Sequence, residues 1–397
     1  MEAPAAAEQN PLKTDQSQGQ LRRTRGVSEL TSRIIALVRF PLPLAVMAVH
    51  VFRTKPFTAH GVDYSFDDMP LTHTLLSFVQ QFVADFSVPT FFFISGLLFF
   101  AGGFSAEIYR RKLKRRARSL LIPYIVWNLL ALGYIAAFEL LPFKSDIASI
   151  CGEGFEFTVG DILRGMWVGL RDTNVPFAGT LWFIRELMTV IVLSPLLAWM
   201  VRKLRWWPLV AFWAVWAACF VVGSEGYLRF ISSALLFFTA GAYFSLNHLD
   251  PAPIFVRRWR WALAMFVGLG VVTVTCSESL PAEALRALKA LSIPCALVIV
   301  FAVAAIWGGT SLRQRLLGQR ALSDAIPGIA FFIFAAHGIL FFHWKIAMFT
   351  LLRPESDAAC ALTFIATYAT LFLLICAVYL LLGRIFPTIQ RLLSGRL

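Results

Sequence analysis

At 397 residues, with 58% hydrophobic and only 15% charged side chains and a mean hydropathy of +0.70, the chain is too apolar to be an ordinary water-soluble domain. Its formal charge of +13 does not indicate nucleic acid as a partner, because the cations sit in short clusters between apolar runs, as in membrane-protein loops. The six cysteines (Cys151, Cys219, Cys276, Cys295, Cys360 and Cys376) are scattered with no C-x-x-C spacing and indicate neither a metal site nor a disulfide framework.

Residues 1–32 are polar, rich in Ala, Gln, Ser and Arg, and lack an apolar core of signal-peptide length, so they read as a disordered cytoplasmic tail. Ten apolar runs follow, near residues 34–52, 76–100, 119–141, 180–200, 206–222, 230–247, 261–276, 288–307, 326–348 and 360–383. Most approach the roughly 20 residues that a helical span requires. The expected fold is all-α: a polytopic integral membrane protein of about ten transmembrane helices occupying residues 33–385, with a cytoplasmic C-terminal tail at 386–397. If the first run leaves the cytoplasm, the tails and inside loops hold 24 of the 36 Lys and Arg residues and the outside loops hold 10, which puts both termini in the cytoplasm. The fifth and sixth runs are short and closely joined around Gly223–Gly226, so a re-entrant hairpin is an alternative to two spans.

Several ionisable side chains fall inside these runs, where lipid penalises them. On a straight helix the eleven-residue step from Arg39 to His50 advances about 20° past three full turns and about 16 Å along the axis, so the two would share a face. Pro41 and Pro43 each remove a backbone donor, which makes that phase approximate. In the second run, Asp85 lies just inside the outer end and needs a partner, with His50 and Arg53 as candidates. The stretch Phe91-Phe-Phe-Ile-Ser95-Gly96 reads first as a packing face, with Ser95 able to hydrogen-bond a neighbouring helix.

Between the second and third runs, Arg110–Arg118 carries seven cations in nine residues. It reads either as a topogenic and lipid-headgroup patch or as an anion clamp. In the clamp reading Arg115 and Arg118, one turn apart, fork onto phosphate oxygens. The fourth run opens on Leu181-Trp182-Phe183 and sets Arg185 beside Glu186. Adjacent residues on a helix do not face each other, so each needs another contact, structural or substrate-derived. The ninth run carries His337 about halfway along, with His343 nearer the outside, and a lone intramembrane His is more often a helix-to-helix contact than a ligand. No second His or carboxylate recurs at metal-ligand spacing, so no metal is expected.

Taken in order along one chain, Arg39-x10-His50, the FFxISG element ending in Ser95-Gly96, and Arg115-x-x-Arg118 leading into Leu-Ile-Pro-Tyr resemble the membrane-bound acyltransferase 3 family. Leu181-Trp182-Phe183 and His337 add weaker support, and the likeness spans nearly all of 33–385. That family contains many bacterial O-acetyltransferases of sugars and surface polysaccharides. The resemblance implies a multi-pass protein of the bacterial inner membrane that takes an acyl group, acetyl by default, from cytoplasmic acyl-CoA to a hydroxyl of a glycan or glycolipid at the outer side. In that scheme His50 is the general base or the transient acyl carrier. Arg39 stabilises the thioester oxyanion or binds coenzyme A phosphates, and Arg115, Arg118, Arg111 and Lys114 hold those phosphates. Asp85, Ser95, Trp182, Arg185, Glu186 and His337 support the site or the acceptor, which the long outside loop at 142–179, with Cys151, Asp161, Arg164, Arg171, Asp172 and Asn174, is best placed to grip. The implied partners are membrane lipid, acyl-CoA and the acceptor glycan. Rivals from other classes are a secondary transporter or a flippase-like protein without acyl-transfer chemistry, although the two halves show no internal repeat.

Overall fold

The first apolar run folds as two helices set end to end, α1 (Glu29–Val38) and α2 (Pro41–Val51). Residues 27–139, 158–169, 174–224, 226–276, 279–308 and 320–396 are described by the structure, a computed structural model. Helix α1 starts earlier than the expected tail boundary: Ser28 caps it by accepting from the Thr31 amide at 3.1 Å, and buried Thr31 donates its hydroxyl to Asp250. Residues 29–32 are therefore helical, with Thr31 buried, while the tail up to residue 26 lies outside the described residues. Pro41 occupies the first turn of α2, where a missing N–H breaks no helical bond. The step from Arg39 to His50 thus crosses a helix junction.

A two-stranded hairpin follows, β1 (Phe57–Ala59) paired antiparallel with β2 (Val62–Tyr64), turning at His60 and Gly61, both with positive φ. No strand was expected there, because each is only three residues long. The second run comprises α3 (Pro70–Phe78), a π-helical turn at Val79–Val83 and α4 (Ala84–Phe100). Helix α5 (Ala106–Arg116) runs through a second π turn, Ala117–Leu121, into α6 (Ile122–Glu139). A short helix, α7 (Val159–Trp167), precedes α8 (Trp182–Val192) and α9 (Ser194–Leu204).

The fourth run was expected as one span, but it bends by 61° between α8 and α9, because Pro195 cannot continue the hydrogen-bond ladder of α8. Next come α10 (Trp207–Val221), α11 (Tyr227–Leu246), α12 (Pro251–Thr275), α13 (Ala282–Trp307), α14 (Arg320–Leu352), α15 (Asp357–Ile385) and α16 (Pro387–Leu393). The last of these is docked rather than trailing: Leu393 is buried, and its carbonyl accepts from Trp127 Nε1 at 3.0 Å. Among the described residues six helices are long and apolar enough to cross a membrane, or seven if α8 and α9 make one broken span. Helix α10, at 15 residues, is shorter than that measure, and α12 is long enough but carries Arg257, Arg258 and Arg260.

In lipid, helices associate through close packing because hydrocarbon offers no solvophobic drive between them. Helix α4 crosses α11 in this way: a Cβ on Gly96 would overlap the carbonyl of Phe238, and one on Gly241 would overlap that of Phe93. The FFxISG element is thus a packing face. Around the crossing, Phe93 makes aromatic contacts with Phe244, Phe255 and Phe301. Gly96→Val should lower the thermal midpoint of the purified protein, at a cost of about 1–3 kcal/mol for overpacking. Gly133→Val, on α6 with open space beside it, should leave that midpoint nearly unchanged in the same fluorescence melt.

Candidate active site

Helices α2 and α14 pack side by side and bring His50 against His337, with ring centroids 5.4 Å apart. Phe341, one turn along α14, has its ring centroid 5.4 Å from that of His50. His337 is fully buried, and its Nδ1 donates to the Ile333 carbonyl at 2.9 Å. A carbonyl only accepts, so Nδ1 carries the proton and the neutral ring presents a bare Nε2. That Nε2 is buried and has no hydrogen-bond partner. Half of His337 is a satisfied helical contact, and the other half faces its surroundings with an unused lone pair. His50 as a whole residue is of intermediate exposure.

Arg39 is exposed at the α1–α2 junction. Arg116 lies within electrostatic range of both Arg115 and Arg39. Arg111, Lys114, Arg115 and Arg118 are all exposed. Their expected helical phase shifts where α5 gives way to the π turn, in which the Ile122 amide reaches back to the Ala117 carbonyl. Lys112 is spent differently: its Nζ caps the end of α4 at the carbonyls of Phe99 and of Ala101, the latter at 3.0 Å. Nothing in the run of seven cations distinguishes Arg116 in the sequence; its electrostatic coupling to Arg39 depends on the fold.

Arg185 and Glu186 are fully buried and, contrary to expectation, do pair, with Arg185 Nη2 at 2.7 Å from Glu186 Oε1. The rule that neighbours diverge holds for Cβ directions, but a guanidinium on its long stem can fold back around the helix start. Arg185 Nη1 also donates to the carbonyls of Trp167 at 2.8 Å and of Val168 and Asn174 at 3.2 Å. This pair therefore ties the end of α7 to α8, and Glu186 Oε2 remains buried without a hydrogen-bond partner. Trp182 is stacked on Phe230 with centroids 4.0 Å apart, and Ser95 is half-buried on α4. The Asp85 side chain lies outside what the structure describes, as do Cys151, Arg171 and Asp172 of the long loop. Asp161 and Arg164 are on α7, and Asn174 adjoins Arg185.

At the hairpin end of the bundle, Lys345 is buried at 3% exposure on α14. Its Nζ stands 3.9 Å from the centroid of Phe57 on β1. Among the described residues no group of three or more His, Cys, Asp or Glu is arranged to hold a metal ion.

Residues 35–384 match the sequence profile of the acyltransferase 3 family, described as an acyltransferase domain. The chain is also similar to the succinoglycan biosynthesis protein ExoH of Rhizobium meliloti, at 25% identity over 320 residues covering 79% of each protein. No solved structure matches the chain.

The Arg185–Glu186 pair makes a stability prediction. Arg185→Met alone should destabilise strongly, by about 3–5 kcal/mol, because it leaves a buried carboxylate unpaired. Adding Glu186→Leu should return part of that loss, which denaturation of both variants beside wild type will read as non-additivity.

Proposed function

The chain belongs to the acyltransferase 3 family, and from that premise we propose that it moves an acyl group, acetyl by default, from a cytoplasmic acyl-CoA to a hydroxyl of a surface glycan or its lipid-linked precursor. The observation that carries the reading is the contact of His50 with His337, whose buried Nε2 has no partner. A sugar hydroxyl is a weak nucleophile, and a neutral imidazole held in place can accept its proton as the oxygen attacks the thioester carbonyl. The new C–O bond forms, the C–S bond breaks, and the proton taken by His50 passes to the departing thiolate. His337, its Nδ1 held by the Ile333 carbonyl, packs against the His50 ring and positions it by that contact.

Arg39 stands eleven residues before His50, a step of about 16 Å on a continuous helix and more than a guanidinium reaches to an oxyanion at that ring. Its neighbours Arg115 and Arg116 group it instead with the phosphates of coenzyme A, joined by Arg111, Lys114 and Arg118. The pantetheine arm then bridges from the basic end of the bundle to the histidine pair. With both termini in the cytoplasm, as the distribution of Lys and Arg favours, the donor enters from the basic end and the acceptor from the hairpin end. The kinship with a protein named for succinoglycan biosynthesis favours a polysaccharide acceptor. A transporter reading has no comparable support, since the family is one of acyltransferases.

His50→Ala should abolish transfer from radiolabelled acetyl-CoA to purified surface glycan while the protein still folds and binds acetyl-CoA; normal turnover would refute the assignment. His337→Phe should lower kcat by about a hundredfold with little change in KM for acetyl-CoA. The double variant Arg115→Ala, Arg118→Ala should weaken acetyl-CoA binding by about tenfold or more in titration calorimetry, with acceptor binding preserved. Equal affinity would reduce the basic helix to a topological signal.

A further inference from the structure

Helix α2 carries His50 on its last turn, and a helix end leaves carbonyls without intrahelical donors. The common remedy is a left-handed residue just past the end, but no residue from Phe52 to Thr54 has a positive φ. The Phe52 amide still reaches the Ala48 carbonyl at 2.8 Å. The helical donor for the next carbonyl, that of Val49, falls at residue 53, beyond the end of α2. Gln80 serves this end instead: its Nε2 donates to the carbonyls of Val49 at 2.7 Å and Phe52 at 3.1 Å. Carbonyls only accept, so the amide presents its NH2 group, which holds one hydrogen for each. Those two bonds straddle His50 in the chain. Gln80 comes from the π turn Val79–Val83, which packs on α2 and is seated by buried Val79. A π turn inserts an extra residue and so redirects side chains, and such turns recur at functional sites. The His50 ring meets His337 and Phe341 by ring contacts, which tolerate sliding, so its aim depends on the backbone that carries it.

We propose that Gln80 is a positioning residue for acyl transfer: it caps the last turn of α2 and thereby fixes the direction of the His50 imidazole against His337. The chemistry asks for a neutral double donor at that place. A carboxylate would set oxygens against two carbonyls, and an ammonium would bring a charge into an apolar run beside a ring that acts as a base. An amide does neither. Misplacing a reacting group by about 1 Å can cost about a hundredfold in rate, so a side chain that acts only through the backbone around His50 still governs turnover. The proposal rests on His50 as the group that takes the acceptor's proton, but the cap itself is a property of the fold and is read without turnover.

The test compares wild type, Gln80→Met and His50→Ala, each full length in nanodiscs. Two quantities are read: steady-state transfer from radiolabelled acetyl-CoA to purified surface glycan, and backbone hydrogen exchange by mass spectrometry. Gln80→Met keeps the length of the side chain and removes the donor. It should lower kcat about tenfold or more while KM for acetyl-CoA stays within about twofold of wild type. Amide exchange in peptides covering residues 46–53 should quicken about tenfold, with the peptides of α12 exchanging as in wild type. Gln80→Asn, which keeps an amide but is one methylene too short to reach both carbonyls, gives the same two readouts if Gln80→Met does not fold. A fall in kcat with exchange at 46–53 unchanged, or faster exchange there with kcat unchanged, would overturn the positioning role. Normal turnover in His50→Ala would remove the base and its positioning residue together. An inactive His50→Ala beside a fully active Gln80→Met would remove the positioning residue alone.

Discussion

The constraint on which this bundle depends is that hydrocarbon supplies no hydrogen bonds, so each polar group taken into it must find its partner inside the protein. Most do. Thr72 accepts the help of Asp357, whose carboxylate takes the amides of Leu71 and Thr72 at 2.7 and 2.8 Å and so closes the start of α3 from the first turn of α15. Asn128 bonds the Tyr124 carbonyl at 2.8 Å with its amide and accepts from Ala178 at 3.1 Å, fixing the chain just before Trp182. Arg185 gathers three carbonyls and a carboxylate. Against this background a bare imidazole nitrogen at His337 and a buried ammonium at Lys345 are conspicuous, and both lie along α14.

Sequence patterns made the architecture legible where apolar length was the signal. The centres of α11, α13, α14 and α15 fall within expected runs because a span cannot hide its hydrophobicity. Boundaries were less legible. Helix α12 starts ten residues before its apolar run, since Pro251 at its first turn and the capping Asp250 begin a helix that the following arginines prolong out of the apolar zone. The bend at Pro195 and the docking of α16 onto Trp127 depend on tertiary contacts that a hydropathy window averages away.

The site was legible in its members and illegible in its pairings. His50 and His337 each stand out as ionisable residues in lipid-length runs, yet nothing local to either predicts that their rings meet, because that contact is set by how α2 packs on α14. Arg185 beside Glu186 shows the opposite error: a sound helical rule about Cβ directions gave the wrong contact, because a long side chain is not confined to the direction of its first bond. Lys345 escaped notice for a third reason, since a lysine near the end of a run reads as one that reaches back toward the membrane surface, and its burial shows only in the fold, where Phe57 of the hairpin stands against it.

The proline pair in the first run gives the two ends of the site different mechanical standing. The junction at Arg39 and Phe40 separates α1, tied to α12 through Thr31 and Asp250, from α2, which carries His50 against α14 and is held by Gln80 Nε2 donating to the carbonyls of Val49 at 2.7 Å and Phe52 at 3.1 Å. Arg39 therefore stands at the end of the first element, and His50 belongs to the element locked into the bundle. A helix without that junction would transmit any movement of Arg39 directly to the imidazole. With it, Arg39 and His50 stand on separate helical pieces, α1 tied to the start of α12 and α2 packed on α14.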